Sequence, residues 1–470
     1  MTRNSMRLLT LAAIVCAAGS AQAIPTVIFS NIQSSPTSDV PGLPGEKFDT
    51  GATNRLQRPT RSPDGTRWAL GAFLNVSTLT NDEIIVQGSG PSAAGAALTV
   101  REGDLTSDAG FPGEAFNDIT ERIAVANNGD VYFSNNTSAA TASDQVIFRG
   151  SSGAFTPIVR EGQATGSIPG VSWGTGLNAV SVTSSNQVSF LSSALVGAAA
   201  ANNAGLFSNN GSTVVAQKGV TVPGLAGTAW ELFDADDYYV SGDGLTTLAK
   251  GDILGDTTKD DVVVVNGTAV LFEGSVIAGS GFTSPIASGG VDEVYLEPGG
   301  AWFAQGDNAD GIDWVVRNGS VIAKTDDTIP GGVPGEKWDD NSGFASTFFF
   351  MTGNSTGDFV VGGTTNNADL TQNAVLAYGN AASGMLGVLL REGDAIDVDG
   401  NGLADDNAFI SVFNNFDGFL LEDGRLYFTA DLRDGAGTAI GQAFLSVAIP
   451  TPGSAGLLAL AGLAGVRRRR

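Results

Sequence analysis

The chain has 470 residues, of which 42% are hydrophobic and only 16% charged, with 64 glycines and a formal net charge of −25. That sign opposes binding to nucleic-acid backbones and to anionic lipid surfaces, both of which need basic patches. There is no histidine, and the single cysteine, Cys16, falls in the leader described next. A Ser-His-Asp triad, a thiolate nucleophile, a disulfide and a Cys/His metal site are thereby excluded from the rest of the chain, whereas carboxylate-only chemistry such as glycoside hydrolysis is not.

Residues 1–23 read as a cleavable secretory signal, with Arg3 and Arg7 ahead of an apolar stretch from Leu8 to Ala18 and a small-x-small site at Ala21-Gln22-Ala23. A short β-branched and apolar segment, Thr26 to Ser30, follows. From about residue 40 one pattern recurs: a Pro-Gly loop, an aromatic residue, then strands separated by a tight turn. The loop and aromatic appear as Pro41-Gly42 with Phe48, Pro112-Gly113 with Phe116, Pro169-Gly170 with Trp173, Pro223-Gly224 with Trp230, and Pro334-Gly335 with Trp338. Degenerate copies end at Phe282 and Phe409.

The turns place Gly65, Gly129, Asn186, Gly244, Gly300, Gly357 and Gly424 where a tight hairpin wants positive φ, at spacings of 64, 57, 58, 56, 57 and 67 residues. Each turn is followed by an alternating strand such as Val131-Tyr132-Phe133, and then by a further hairpin. Seven units of four strands predict an all-β, seven-bladed β-propeller over residues 24–448. Sandwich domains would need about 100 residues per unit. The last unit has strands near Phe409 to Phe413, Arg425 to Thr429 and Gln442 to Val447, after which Pro450 and Pro452 stop it one strand short. Thr26 to Ser30 is expected to supply the missing fourth strand, antiparallel to Gln442 to Val447, and so to close the ring.

Asp397-Val398-Asp399-Gly400-Asn401-Gly402-Leu403-Ala404-Asp405-Asp406 has the spacing of a calcium loop. Asp397, Asp399, Asn401 and Asp405 would give side-chain oxygens and Leu403 its carbonyl, with Asp406 or Asp394 as supplements, because Ala408 stands where a bidentate Glu would be. Calcium there would be structural. Two weaker acidic loops, 307–313 and 256–261, fall between the second and third strands of their units. Trp173, Trp230 and Trp338 recur at one position and read as packing residues rather than as a sugar-stacking platform.

The C-terminus runs Pro450-Thr451-Pro452, an apolar stretch from Gly453 to Val466, and Arg467 to Arg470. Residues 449–470 resemble the PEP-CTERM sorting tag, with Thr451 in place of the usual Glu. The resemblance implies recognition by an exosortase-type processing enzyme and a transient membrane tether. Loss of both ends leaves 18 basic against 49 acidic residues, about −31. The body is also similar to a tandem-repeat family of PEP-CTERM proteins whose copies carry Arg-Glu-Gly-Asp, a Pro-Gly loop and an Asn-x-x-Gly turn. Arg101 to Asp104 and Arg391 to Asp394 match the first element in full, and Arg160 to Gln163 misses by one; these are expected to be turn and ion-pair features between blades. Together these features point to an exported protein at the cell surface or outside the cell, acting as a structural or binding module with exopolysaccharide as a candidate partner. A carboxylate-dependent glycosidase or polysaccharide lyase is the alternative.

Overall fold

All seven turns hold their left-handed residue where expected: φ is 67° at Gly65, 90° at Gly129, 60° at Asn186, 75° at Gly244, 87° at Gly300, 88° at Gly357 and 73° at Gly424. Such angles suit residues without a clashing Cβ, or Asn, whose short side chain tolerates them. Every turn joins the first and second strands of a four-stranded antiparallel sheet. A computed structural model describes residues 24–450 except 52–54, 107–110, 120–121, 152, 226 and 340–345. Residues 1–23, expected to be a signal, and the residues beyond Pro450, expected to be a sorting tag, lie outside the described residues.

The protein is a seven-bladed β-propeller, and among the described residues there is no α-helix. Blade 1 is typical, with strands Leu56–Arg61, Trp68–Phe73, Glu83–Gly88 and Ala97–Arg101 paired in sequence order. In blade 2 the first strand is split into Phe116–Asp118 and Ile123–Val125, both paired to Val131–Thr137. The first strands of blades 3 to 6 are Leu177–Val182, Tyr238–Val240, Ile286–Leu296 and Phe348–Gly353.

Thr26–Ser30 completes blade 7, antiparallel to Ala439–Ala448, with Phe29 opposite Phe444 and Ser30 opposite Ala443. The N-terminal strand therefore closes the ring, as its sequence suggests. The other blade 7 strands run longer than expected, as Phe409–Leu420, Arg425–Arg433 and Ala439–Ala448. The register of the first of these breaks between Phe413 and Gly418, and Phe416 sits at φ 55°. That break interrupts the alternation from which a strand is read, so the pattern ends early.

Blades pack through apolar faces and a few buried polar ties. Phe48, Phe116, Trp173, Trp230 and Trp338 are all at most 4% exposed, which settles them as packing residues. Phe29 meets Phe48 and Trp68 with ring centroids 5.2 and 5.8 Å apart, and Trp68 meets Phe444 at 5.3 Å, so three chain segments share one cluster at the closure. Side chains at the head of third strands cap backbone N–H groups of the next blade. Glu83 accepts from Ile119 at 2.7 Å, Gln145 from Leu177 at 3.0 Å, and Asp313 from Thr347 at 2.7 Å. Gln442 accepts from Arg55 at 2.7 Å and repeats the tie across the closure. Each satisfies a donor that burial would otherwise orphan.

The Arg-Glu-Gly-Asp copies require a correction. Arg391 pairs with Glu336 at 2.6 Å and Arg160 with Glu114 at 2.8 Å. Each pair ties the Pro-Gly-Glu loop that enters a blade to the outermost strand of that same blade, so it acts within a blade and not between two. The Glu of the motif turns inward instead. Glu102 accepts from the N–H groups of Asp82 and Glu83, and Glu273, which holds the equivalent place after the last strand of blade 4 without the motif, accepts from those of Asp260 and Asp261.

Candidate functional site

First strands line the propeller axis, and the turns that end them converge. Ser184 of blade 3 donates its N–H to the Gly242 carbonyl of blade 4 at 2.6 Å, and Gly242 donates to the Pro298 carbonyl of blade 5 at 2.9 Å. A Cβ on Gly242 would lie 3.0 Å from Cβ of Pro63, which belongs to blade 1 on the far side of the ring. Blade 7 joins the same ring of turns, where Arg61 pairs with Glu422 at 2.8 Å and Asn354 donates to the Leu421 carbonyl at 3.1 Å. The turn face of the axial channel is thus plugged by backbone.

The other mouth is open onto a cavity of about 340 Å³ lined by first-strand residues of all seven blades. That volume falls in the lower part of the range for small-molecule sites, roughly 300–1,000 Å³. Its open end carries Arg58, Arg122, Asp236, Glu293 and Asp417, with Tyr239, Tyr295 and Phe416 as aromatic walls. Arg122 of blade 2 reaches over to blade 4. Its guanidinium lies 4.0 Å from the Tyr239 ring centroid and donates to the Tyr239 hydroxyl at 2.7 Å, to the Tyr238 carbonyl at 3.1 Å and to the Asp236 carbonyl.

Carboxylates crowd the same end. Asp237 is 5% exposed, and its Oδ1 receives no N–H or O–H among the described residues. The Glu293 carboxyl of blade 5 faces it. Burial first, and then the neighbouring Asp237, push Glu293 well above the usual carboxylate range, and Asp237 is also raised, chiefly by burial. Lys250 lies 3.8 Å from Asp237 but is bonded to Asp234, and those carboxylates hold its ammonium form against the cost of burial. Across the channel, burial raises Asp417 to about 6, tempered by the Arg58 N–H and the Thr429 hydroxyl.

The acidic loop 397–406 lies elsewhere, in the link between blades 6 and 7, in place of a Pro-Gly loop. Asp397, 8% exposed, accepts from the N–H groups of Gly400, Asn401 and Gly402 at 2.8, 3.1 and 2.7 Å. Oxygens of Asp397, Asp399 and Asp406 come within 4.8 Å of one another. Asp406 is drawn in by the N–H groups of Val398 and Asp399, at 2.7 and 3.1 Å. Asp405 is outside this triangle and accepts from Asn401 Nδ2 at 3.5 Å. Asn401 Oδ1 accepts from the Leu403 N–H at 2.7 Å. The loop is anchored to the closing strand, since Asp397 bridges to Thr26 and Val398 accepts from the Ser35 hydroxyl at 3.3 Å.

The channel mouth is not apparent in the sequence pattern. Its one visible signal is charge inside first strands that are otherwise apolar, as at Glu293 and Asp417. The weaker acidic loops 256–261 and 307–313 do lie between second and third strands.

Residues 69–262 match a family of unknown function, DUF7453, from the second strand of blade 1 to the third of blade 4. No curated protein matches the chain in sequence. Among solved structures, the Dos1 propeller is similar at 10% identity and a TM-score of 0.39, over 86% of this chain and 94% of that one. Puromycin hydrolase is similar at 11% identity and a TM-score of 0.43, over 83% of this chain but only 54% of its own length. The N11 neuraminidase-like protein of a flat-faced bat influenza virus is similar at 11% identity and 0.31, over 91% and 99%. Among the described residues no helix is long and apolar enough to cross a membrane.

Proposed function

We propose that this propeller is exported, acts at or outside the cell surface as a binding or structural module, and takes a saccharide portion of exopolysaccharide into the open mouth of its channel. The observation that carries this reading is the one-ended cavity, where Tyr239, Tyr295 and Phe416 stand beside Arg58, Glu293 and Asp417. Aromatic faces with fixed charged donors and acceptors suit a polyhydroxylated ring. The signal at residues 1–23 and the tag at 449–470 support export and processing by an exosortase-type enzyme. At the blade 6–7 link, Asp397, Asp399 and Asp406 would hold a structural calcium ion, which would neutralise three converging carboxylates.

The test is a glycan array carrying polysaccharide from the producing cells, probed with the processed chain. Binding that is lost in Phe416→Ala and Tyr295→Ala supports the reading. Binding unchanged by both, or none to any glycan, overturns it. The facing carboxyls Asp237 and Glu293 favour a second reading, carboxylate-dependent glycosidase or lyase action. New reducing ends or unsaturated products from a bound glycan would decide for it.

A further inference from the structure

Most cations near the channel mouth already face carboxylates or aromatic rings. Arg122 is engaged by the Tyr239 ring and hydroxyl and two carbonyls, Lys250 is held by Asp234, and Arg58 lies within charge range of Asp417 and Asp118. The Asp237 carboxylate, 5% exposed, keeps an oxygen for which the described residues supply no N–H or O–H donor, facing a second carboxyl, Glu293. Nearby, a guanidinium is already seated: the Arg122 site shows that this wall of carbonyls and aromatic face accommodates an organic cation.

We propose that the open mouth binds a positively charged amine beside Glu293, which lines the cavity and faces the buried Asp237, and that the saccharide it takes therefore bears free amino groups and not carboxylates. The inference rests on the reading above of the mouth as a saccharide site and adds the charge of the ligand. Asp237 and Glu293 share their nearest ammonium, Lys250 at 3.8 Å from Asp237, with Asp234, and an ammonium group of the ligand would offset the desolvation cost of the second charge. A uronate would add a third carboxylate to the same space. Tyr295, whose ring centroid lies 6.0 Å from that of Tyr239, adds a π-face on which an ammonium group can rest.

Isothermal calorimetry on the processed chain would use four probes: a glucosamine tetramer, its N-acetylated form, a galacturonate tetramer and spermidine. The glucosamine tetramer is expected to bind at least about tenfold more tightly than the N-acetylated form, a difference of about 1.4 kcal/mol. The galacturonate tetramer is expected not to bind. Glu293→Gln should bring the first two probes to parity while the protein keeps its melting temperature, and Asp417→Asn, placed across the channel, should weaken the amine preference less. Spermidine binding as well as the glucosamine tetramer would mean that the amine alone is recognised, which sustains the charge and removes the sugar. Equal or tighter binding of the N-acetylated or galacturonate tetramer overturns the inference and leaves the saccharide reading standing. Failure of all four probes overturns both.

Discussion

Deleting residues 24–31 removes the strand that closes blade 7, and the structure sets the size of the effect. Val27, Ile28 and Phe29 are 8, 0 and 1% exposed, and fully burying such side chains is worth about 1.5–3 kcal/mol each. Their loss sums to roughly 5–9 kcal/mol, before the strand's backbone hydrogen bonds at about 1 kcal/mol each are counted. The stability of a whole domain is of the same order, about 5–15 kcal/mol. The ring should therefore open, well beyond what trimming a frayed terminus does. Urea unfolding followed by tryptophan fluorescence reads this directly, because Trp68 packs against Phe29 at 5.8 Å. A rescue isolates the cause. Thr26 pairs with Ser446, close to the end of the preceding strand at Ala448, so the same segment joined after Ile449 through a short turn would enter as an ordinary fourth strand. That graft should restore the midpoint. A deletion variant that unfolds at the parent midpoint would refute the reasoning, and so would a graft that leaves the deletion's defect in place.

Stability should fall as pH rises through neutrality. Burial raises Glu102, Glu297 and Glu392 to about 7, with Arg317 opposing the effect at Glu297 and Arg433 at Glu392. A folded-state value above the unfolded one contributes stability that is complete below the unfolded value and lost as pH rises through the folded one, here between about 4.5 and 7. For Glu297, 1% exposed, the shift is worth on the order of 3 kcal/mol, and Glu297→Gln should flatten the slope. A higher melting temperature at mildly alkaline than at mildly acidic pH would contradict this. Calcium should raise the melting temperature with a weak midpoint, about 10⁻⁴–10⁻³ M, and Asp397→Ala with Asp399→Ala should abolish the rise. Identical melting in calcium and in chelator removes the ion from the loop.

Most of the fold was legible because its determinants are local. A left-handed residue at each turn, an alternating strand after it and an aromatic before it need no tertiary knowledge, and together they give the blade count. Even the closure could be read, since a unit that stops at Pro450 lacks a strand and Thr26 to Ser30 is a strand without a unit. The same locality explains the one misreading. The Arg-Glu-Gly-Asp pairs look like links between repeats because Arg391 and Glu336 are 55 positions apart, nearly one period. They lie in one blade because the entering loop folds back over its own outermost strand. In the acidic loop, backbone N–H groups of Val398 and Asp399 hold Asp406, already named as a supplementary ligand, beside Asp397 and Asp399.

The channel mouth was hidden for a different reason. Asp237, Glu293, Asp417 and Arg122 come from four blades, and none stands in a motif. What distinguishes them is desolvation beside one another, which exists only after the ring closes. Their position is nevertheless a consequence of the repeat. Each first strand runs from the open mouth toward its turn, so residues several places before the turn face the mouth and the turn itself faces the plug. The close approach of Pro63 to Gly242 narrows that plug, and among the described residues Arg122, Glu293 and Asp417 stand at the open end where a ligand would approach the axis. The turns that make the fold readable thus also fix which charges an incoming ligand meets first.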